Sequence, residues 1–154
     1  MEIIGRKSEI AELKLVAQSK EPEFVVVYGR RRVGKTYLVN QFFDNKFAFK
    51  VTGIAERDAK EKQLANFGES LRTYGSPLCP NPKNWTEAFR SLKTLLENNH
   101  SEGKKVVFID ELPYMYTRRS DLVSAIEHFW NDWGNTQEDL LKIAFTCLNL
   151  PLMP

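Results

Sequence analysis

Phe24-Val25-Val26-Val27-Tyr28 runs directly into Gly29-Arg30-Arg31-Arg32-Val33-Gly34-Lys35-Thr36. The first five residues are wholly apolar and rich in β-branched side chains, which suits a strand buried on both faces of a parallel sheet. The next eight satisfy G-x-x-x-x-G-K-S/T at every fixed position, the pattern of a phosphate-binding loop. Each position has a chemical reason. The glycines let the backbone curl, so that successive N–H groups turn inward toward phosphate oxygens. A helix beginning near Lys35 adds the positive end of its dipole. Lys35 is placed to reach the β- and γ-phosphates, and the Thr36 hydroxyl to ligate magnesium. The nucleotide-contacting set predicted on this basis is Gly29, Arg30, Arg31, Arg32, Val33, Gly34, Lys35, Thr36 and Tyr37. A tight strand-to-helix turn with no ligand is the plainer alternative. The buried strand before the loop and the apolar helix face after it (Leu38, Val39, Phe42, Phe43) weigh against that alternative.

A second motif lies downstream, at Val106-Val107-Phe108-Ile109-Asp110-Glu111. Four apolar residues ending in an acid fit a Walker B strand. A carboxylate at the C-terminal end of a parallel strand stands where open α/β sheets bind ligands. Asp110 is predicted to support magnesium, through water. Glu111 is predicted to polarise the attacking water as general base. The plainer reading of the pair is a cap for the next helix. Two adjacent acids favour water as the acceptor, hence hydrolysis. A kinase would need an acceptor site and usually an arginine-rich lid, and the last arginine of the chain is Arg119. A non-hydrolysing ATP-binding switch and, less well supported, a P-loop kinase stay open beside the hydrolase.

Working outward, buried-type strands alternate with helical patterns. Ser8 is placed to cap a first helix bearing Ile10, Leu13, Val16 and Ala17. Residues 47–54 form a second probable strand, followed by a polar helix with Leu64, Phe67 and Leu71 on one face. Gly75 and three prolines mark a loop up to Asn84, which with Glu87 resembles a capping box before Trp85, Phe89, Leu92 and Leu96. Leu122, Ile126, Phe129, Trp130 and Trp133 mark another helix, and Ile143-Ala144-Phe145 begins a fourth strand. The pattern predicts an α/β fold with a mostly parallel sheet between helices. At 154 residues, 42% hydrophobic and 27% charged, the chain suits one soluble domain. A net charge of +2 does not by itself argue for nucleic acid or an acidic membrane. The charged N-terminus is no secretory signal, and no apolar run is long enough to cross a bilayer, so a cytoplasmic location is expected. Cys79 and Cys147 stand in no metal-ligand spacing and read as free thiols.

These residues resemble the archaeal-type ATPase family, in the AAA+/STAND branch of P-loop NTPases. The matching stretches are Ile4-Gly5-Arg6-Lys7-Ser8-Glu9, Val27 through Thr36, and Phe108-Ile109-Asp110-Glu111-Leu112-Pro113-Tyr114. The run YGRRRVGKT is particularly typical. The resemblance covers roughly residues 3–145 and implies ATP as nucleotide, magnesium as cofactor and a three-layer P-loop NTPase core. It also implies that the fourth strand lies between the P-loop strand and the Walker B strand. By the same resemblance Ile4 and Gly5 lie near the adenine, with packing under the first helix as the alternative.

The tail departs from the family. Phe145-Thr146-Cys147-Leu148-Asn149 lacks the usual glycine/serine-rich continuation, and Thr146 or Asn149 is the candidate sensor. No fifth strand, helical lid, sensor arginine or arginine finger is evident, so residues 1–154 read as a single, incomplete ATP-binding domain cut short after its fourth strand. Such a sheet leaves the P-loop strand as an edge, which predicts self-association or low stability. The remaining features have ordinary readings. Arg30, Arg31 and Arg32 suit a solvated loop face, with nucleic-acid contact unsupported, and Arg118 and Arg119 a solvated surface. Trp130 and Trp133 suit core packing, and the Lys60-Glu61-Lys62 cluster an exposed helix face.

Overall fold

Four short β-branched or aromatic runs become strands, and the amphipathic stretches between them become the connecting helices. The computed structural model describes residues 7–28, 34–55, 59–101, 103–117, 119–137 and 141–147. In chain order the elements are α1 (Lys7–Gln18), β1 (Glu23–Tyr28), α2 (Lys35–Phe42), β2 (Phe49–Thr52), α3 (Lys60–Tyr74), α4 (Trp85–Glu97), β3 (Lys105–Asp110), α5 (Leu112–Met115), α6 (Leu122–Asp132) and β4 (Leu141–Cys147). The strands form one sheet in the order β1-β4-β3-β2, and all three pairings are parallel. β4 therefore lies between β1 and β3, the strands that carry the two sequence motifs, as the family resemblance implied. Among the described residues β1 pairs on one side only.

Every residue of β3 is buried, as expected of an interior strand covered on both faces. Its side chains alternate between two layers. Val107 and Ile109 join Phe49 and Val51 of β2 against Leu64, Phe67 and Leu71 of α3, Trp85, Phe89 and Leu92 of α4, and Ile126 and Phe129 of α6. Phe108 points the other way, to Val39, Phe43 and Phe47 around α2. The α3–α4–α6 layer is rich in rings: Phe67 meets Phe49, Trp85 and Phe89 at centroid distances of 5.0, 5.7 and 5.4 Å. Such packing contributes beyond the area buried. Trp133 and Trp130 are partly buried against the same core, Trp133 on Phe129 and Trp130 on Phe24 of β1, in line with the packing reading.

Helix ends decide how the layers join. Asn84 caps α4 by accepting from the Glu87 N–H at 2.8 Å. The Glu87 carboxylate reaches the Lys83 N–H instead of that of Asn84, so the capping box is half formed. Ser8 does not cap α1: it lies inside that helix and donates to Glu9 at 2.9 Å. The other end of α1 borrows a distant cation. Lys104, just before β3, donates to the carbonyls of Ala17 and Ser19 and satisfies acceptors that the helix leaves open.

Asp121, just before α6, does not use its side chain on its own helix. Its carboxylate accepts from the N–H of Trp85 (3.2 Å), the N–H of Thr86 (3.0 Å) and the Thr86 hydroxyl (3.0 Å), and so caps α4 from across the layer. Lys60 at the start of α3 stands 3.7 Å from the same carboxylate, so it is an ion-pair partner and not only part of an exposed face. One carboxylate thereby gathers the first turns of three helices. Burial raises the Asp121 pKa, but the bonds from the Thr86 and Trp85 N–H groups and the Thr86 hydroxyl outweigh it and hold the pKa below the ordinary aspartate value.

We predict that Asp121→Ala lowers stability by about 1–2 kcal/mol at neutral pH, the usual cost of losing a helix cap. The sign of the pH dependence follows from the lowered pKa. The contribution is fully present above the unfolded aspartate value of about 3.9 and is lost as pH falls through the lower folded value. Urea unfolding of both proteins should show a constant gap from neutral pH down to about pH 5, closing below about pH 4. A gap that persists in strong acid would show that the side chain acts through packing and not through its charge.

Candidate functional site

Because the strands are all parallel, their C-terminal ends share one edge of the sheet. Tyr28 of β1 is in register with Cys147 of β4, and Thr52 of β2 with Asp110 of β3. The chain leaves β1 at this edge, and α2 begins there after Gly34. Gly34 has φ 80° and ψ 23°, a left-handed conformation that suits the second glycine of the loop pattern. Its carbonyl accepts the Leu38 N–H at 2.9 Å and opens the helix.

The first turn of α2 carries Lys35, which is 5% exposed, and Thr36. The Thr36 hydroxyl donates to the carboxylate of Asp110, its oxygen standing 2.8 Å from Oδ2 and 3.0 Å from Oδ1. Asp110 is only 2% exposed. The two predicted magnesium residues, distant in sequence, are thus in direct contact. A hydroxyl and a carboxylate are hard oxygen donors of the kind magnesium takes. The donor set therefore fits the ion that the motifs imply.

Glu111 follows at the turn from β3 into α5. Its φ of 56° and ψ of 42° are left-handed, and its side chain makes no capping bond to α5. A non-glycine residue in that region costs roughly 1–2 kcal/mol and persists only where its surroundings enforce it. On one side the turn is anchored by Leu112 and Met115, which are both buried. On the other side, the Gly53 N–H donates to the Asp110 carbonyl at 2.8 Å. A Cβ placed on Gly53 would overlap the Glu111 carbonyl oxygen. Gly53 was not singled out in the sequence, where it lies within the strand expected at residues 47–54.

Tyr37 lies on α2 and is 42% exposed. Gly29, Arg30, Arg31, Arg32 and Val33, like Ile4 and Gly5, lie outside the described residues, as do Arg118 and Asn149. Thr146 belongs to β4 and pairs in register with Val27 of β1. Arg119 sits between α5 and α6 with φ 60°. No helix among the described residues is long and apolar enough to cross a membrane.

A family model described as an ATPase domain predominantly from Archaea matches residues 3–149. The uncharacterized protein MJECL04 of Methanocaldococcus jannaschii is 26% identical over 125 residues, 80% of this chain and 25% of that protein. From the same organism, the uncharacterized ATP-binding protein MJ0423 is 40% identical over 43 residues, 28% of this chain and 73% of that one. Among solved structures, the Walker-type ATPase PABY2304 of Pyrococcus abyssi aligns with a TM-score of 0.62 at 21% identity, over 94% of this chain and 45% of the other. A chain of the Drosophila ORC bound to DNA aligns with a TM-score of 0.61 at 16% identity, over 95% of this chain and 38% of its own length. At these identities the structural likeness is one of fold. The chain spans about a quarter of the first relative and less than half of either solved chain.

The contact between Thr36 and Asp110 makes a prediction of its own. Thr36→Val keeps the side-chain shape but removes one donor to a buried carboxylate, so it should cost about 1.5–3 kcal/mol of stability. Urea unfolding without nucleotide or magnesium is the check. An unchanged midpoint would show that the hydroxyl is not what holds Asp110 in the empty protein.

Proposed function

The chain belongs to the family of ATPase domains found predominantly in Archaea, and from that premise we propose that it binds ATP with magnesium and supplies the residues for its hydrolysis. The observation that carries this reading is the Thr36–Asp110 contact, which joins the end of the phosphate-loop motif to the end of the Walker B motif. In this reading the backbone amides of residues 29–36 cradle the phosphates and Lys35 neutralises charge on the β- and γ-phosphates. Tyr37, Ile4 and Gly5 complete the nucleotide contacts. Magnesium, held by Thr36 and Asp110, supplies further charge neutralisation on the same phosphates. Glu111 accepts the proton of the attacking water as its oxygen bonds to the γ-phosphorus. The bond to the β–γ bridging oxygen breaks, leaving ADP and inorganic phosphate. The cytoplasm, which holds ATP, is the compartment that suits this chemistry.

Calorimetric titration with magnesium-ATP tests the binding step. Lys35→Ala should weaken binding about 100-fold, roughly 2.7 kcal/mol. Glu111→Gln should retain binding while turnover falls about 10²–10⁴-fold, the range for loss of a general base. Turnover unaffected by Glu111→Gln would remove Glu111 from the mechanism. Binding without turnover in the unsubstituted chain would make it an ATP-binding switch, and turnover only with an added acceptor would make it a kinase.

The one-sided pairing of β1 among the described residues adds self-association to the proposal, because an open parallel edge accepts a further strand. Light scattering over a wide concentration range should show mass rising with concentration. A constant monomer mass together with a sharp two-state unfolding transition would refute this part.

A further inference from the structure

We infer that Gln63 and Gly53 are positioning residues that set the backbone of Glu111 for water activation, an inference that rests on the hydrolase reading above. Gln63 is 1% exposed, one of few polar side chains buried to that degree among the described residues. It lies on α3, outside the nucleotide motifs. Its amide makes two bonds to one residue, Nε2 donating to the Ile54 carbonyl at 2.7 Å and Oε1 accepting the Ile54 N–H at 3.0 Å. The side chain thus plays the part of a neighbouring strand for a segment that has left the sheet. Three residues on, Asn66 donates to the Thr52 carbonyl at 2.8 Å. Helix α3 therefore holds the residues on both sides of Gly53.

Gly53 is the point where this hold is passed on. Its N–H bonds to the Asp110 carbonyl, and its missing side chain leaves room for the Glu111 carbonyl oxygen. Its φ is not in the left-handed range, so space and not backbone conformation requires glycine here. A Cβ would also stand 3.1 Å from Met115 Cγ, which closes the route by which α5 could give way. The left-handed turn at Glu111 is thereby over-determined from the β2 side. An apolar side chain at position 63 would fill the same space but take both bonds from the half-buried Ile54 N–H and C=O, freeing residues 52–54 to shift. Displacements of about 1 Å at a catalytic group cost on the order of 10²-fold in rate.

The test is single-turnover ATP hydrolysis by Gln63→Leu and Gly53→Ala, with magnesium-ATP binding and thermal unfolding measured alongside. Each should lower the rate about 10–100-fold while the ATP dissociation constant stays within about 3-fold of the unsubstituted protein. The decisive readout is the same substitution placed on Glu111→Gln. A residue that acts only through Glu111 adds no further loss there, whereas a merely structural role adds its full effect. Should Gln63→Leu not fold, Gln63→Glu carries the test. Its carboxylate still accepts the Ile54 N–H, and only its protonated form donates to the Ile54 carbonyl, so its deficit should narrow as pH falls. Unchanged rates in the substituted proteins, or undiminished losses on Glu111→Gln, overturn the positioning role and leave the hydrolase reading standing. No hydrolysis by the unsubstituted protein overturns the hydrolase reading and this inference with it.

Discussion

A carboxylate withdrawn from water at the end of a buried strand must be met by hydrogen-bond donors, and Asp110 imposes that demand on everything around it. Thr36 answers it from the first turn of α2, which fixes where that helix starts relative to β3. Helix placement in turn fixes Gly34, which caps the helix. From the other side the backbone of Asp110 receives the Gly53 N–H, which brings the end of β2 into the same junction. A single acidic residue is thus the meeting point of three segments far apart in sequence.

Among the described side chains, the two faces of the sheet carry unequal shares of the packing. The α3–α4–α6 layer holds most of the large buried rings, and its helices are tied at their first turns by Asp121. The α2 face has a smaller cluster around Val39 and Phe108. Lys50 bridges on that side, bonding Asn40 at 3.0 Å and lying over the rings of Phe47 and Phe108.

Features with a local or periodic signature were legible in the sequence. Strand β1, helix α2, the Asn84 cap and the helical stripes of α3, α4 and α6 each depend on residues a few positions apart. The parallel strand order came from family resemblance, because pairings between distant strands leave no short-range pattern. Three kinds of feature could not be read in advance. Ser8 has the chemistry of a cap, but the helix begins one residue earlier, and end positions of helices are weakly specified. Helix α5 spans four residues, too few for periodicity to register. The contacts of Asp121, Gln63 and Gly53 join side chains or bare backbone to partners supplied by the tertiary fold. In the sequence none of the three falls in a motif.

The strand order also bears on how the molecule is made. Of the described strands β1 is made first, yet its partner among them is β4, which is made last of the four. β2 and β3, by contrast, are neighbours both in the chain and in the sheet, joined through α3 and α4. Long-range parallel pairing is slow because the chain between the partners must first be ordered. The implied sequence of assembly is a β2–α3–α4–β3 nucleus with its ring-rich core, followed by docking of β4 and, only then, of β1. Until β4 has been made, β1 is a strongly apolar segment without that partner, and its exposure in that interval is a vulnerability of the nascent chain.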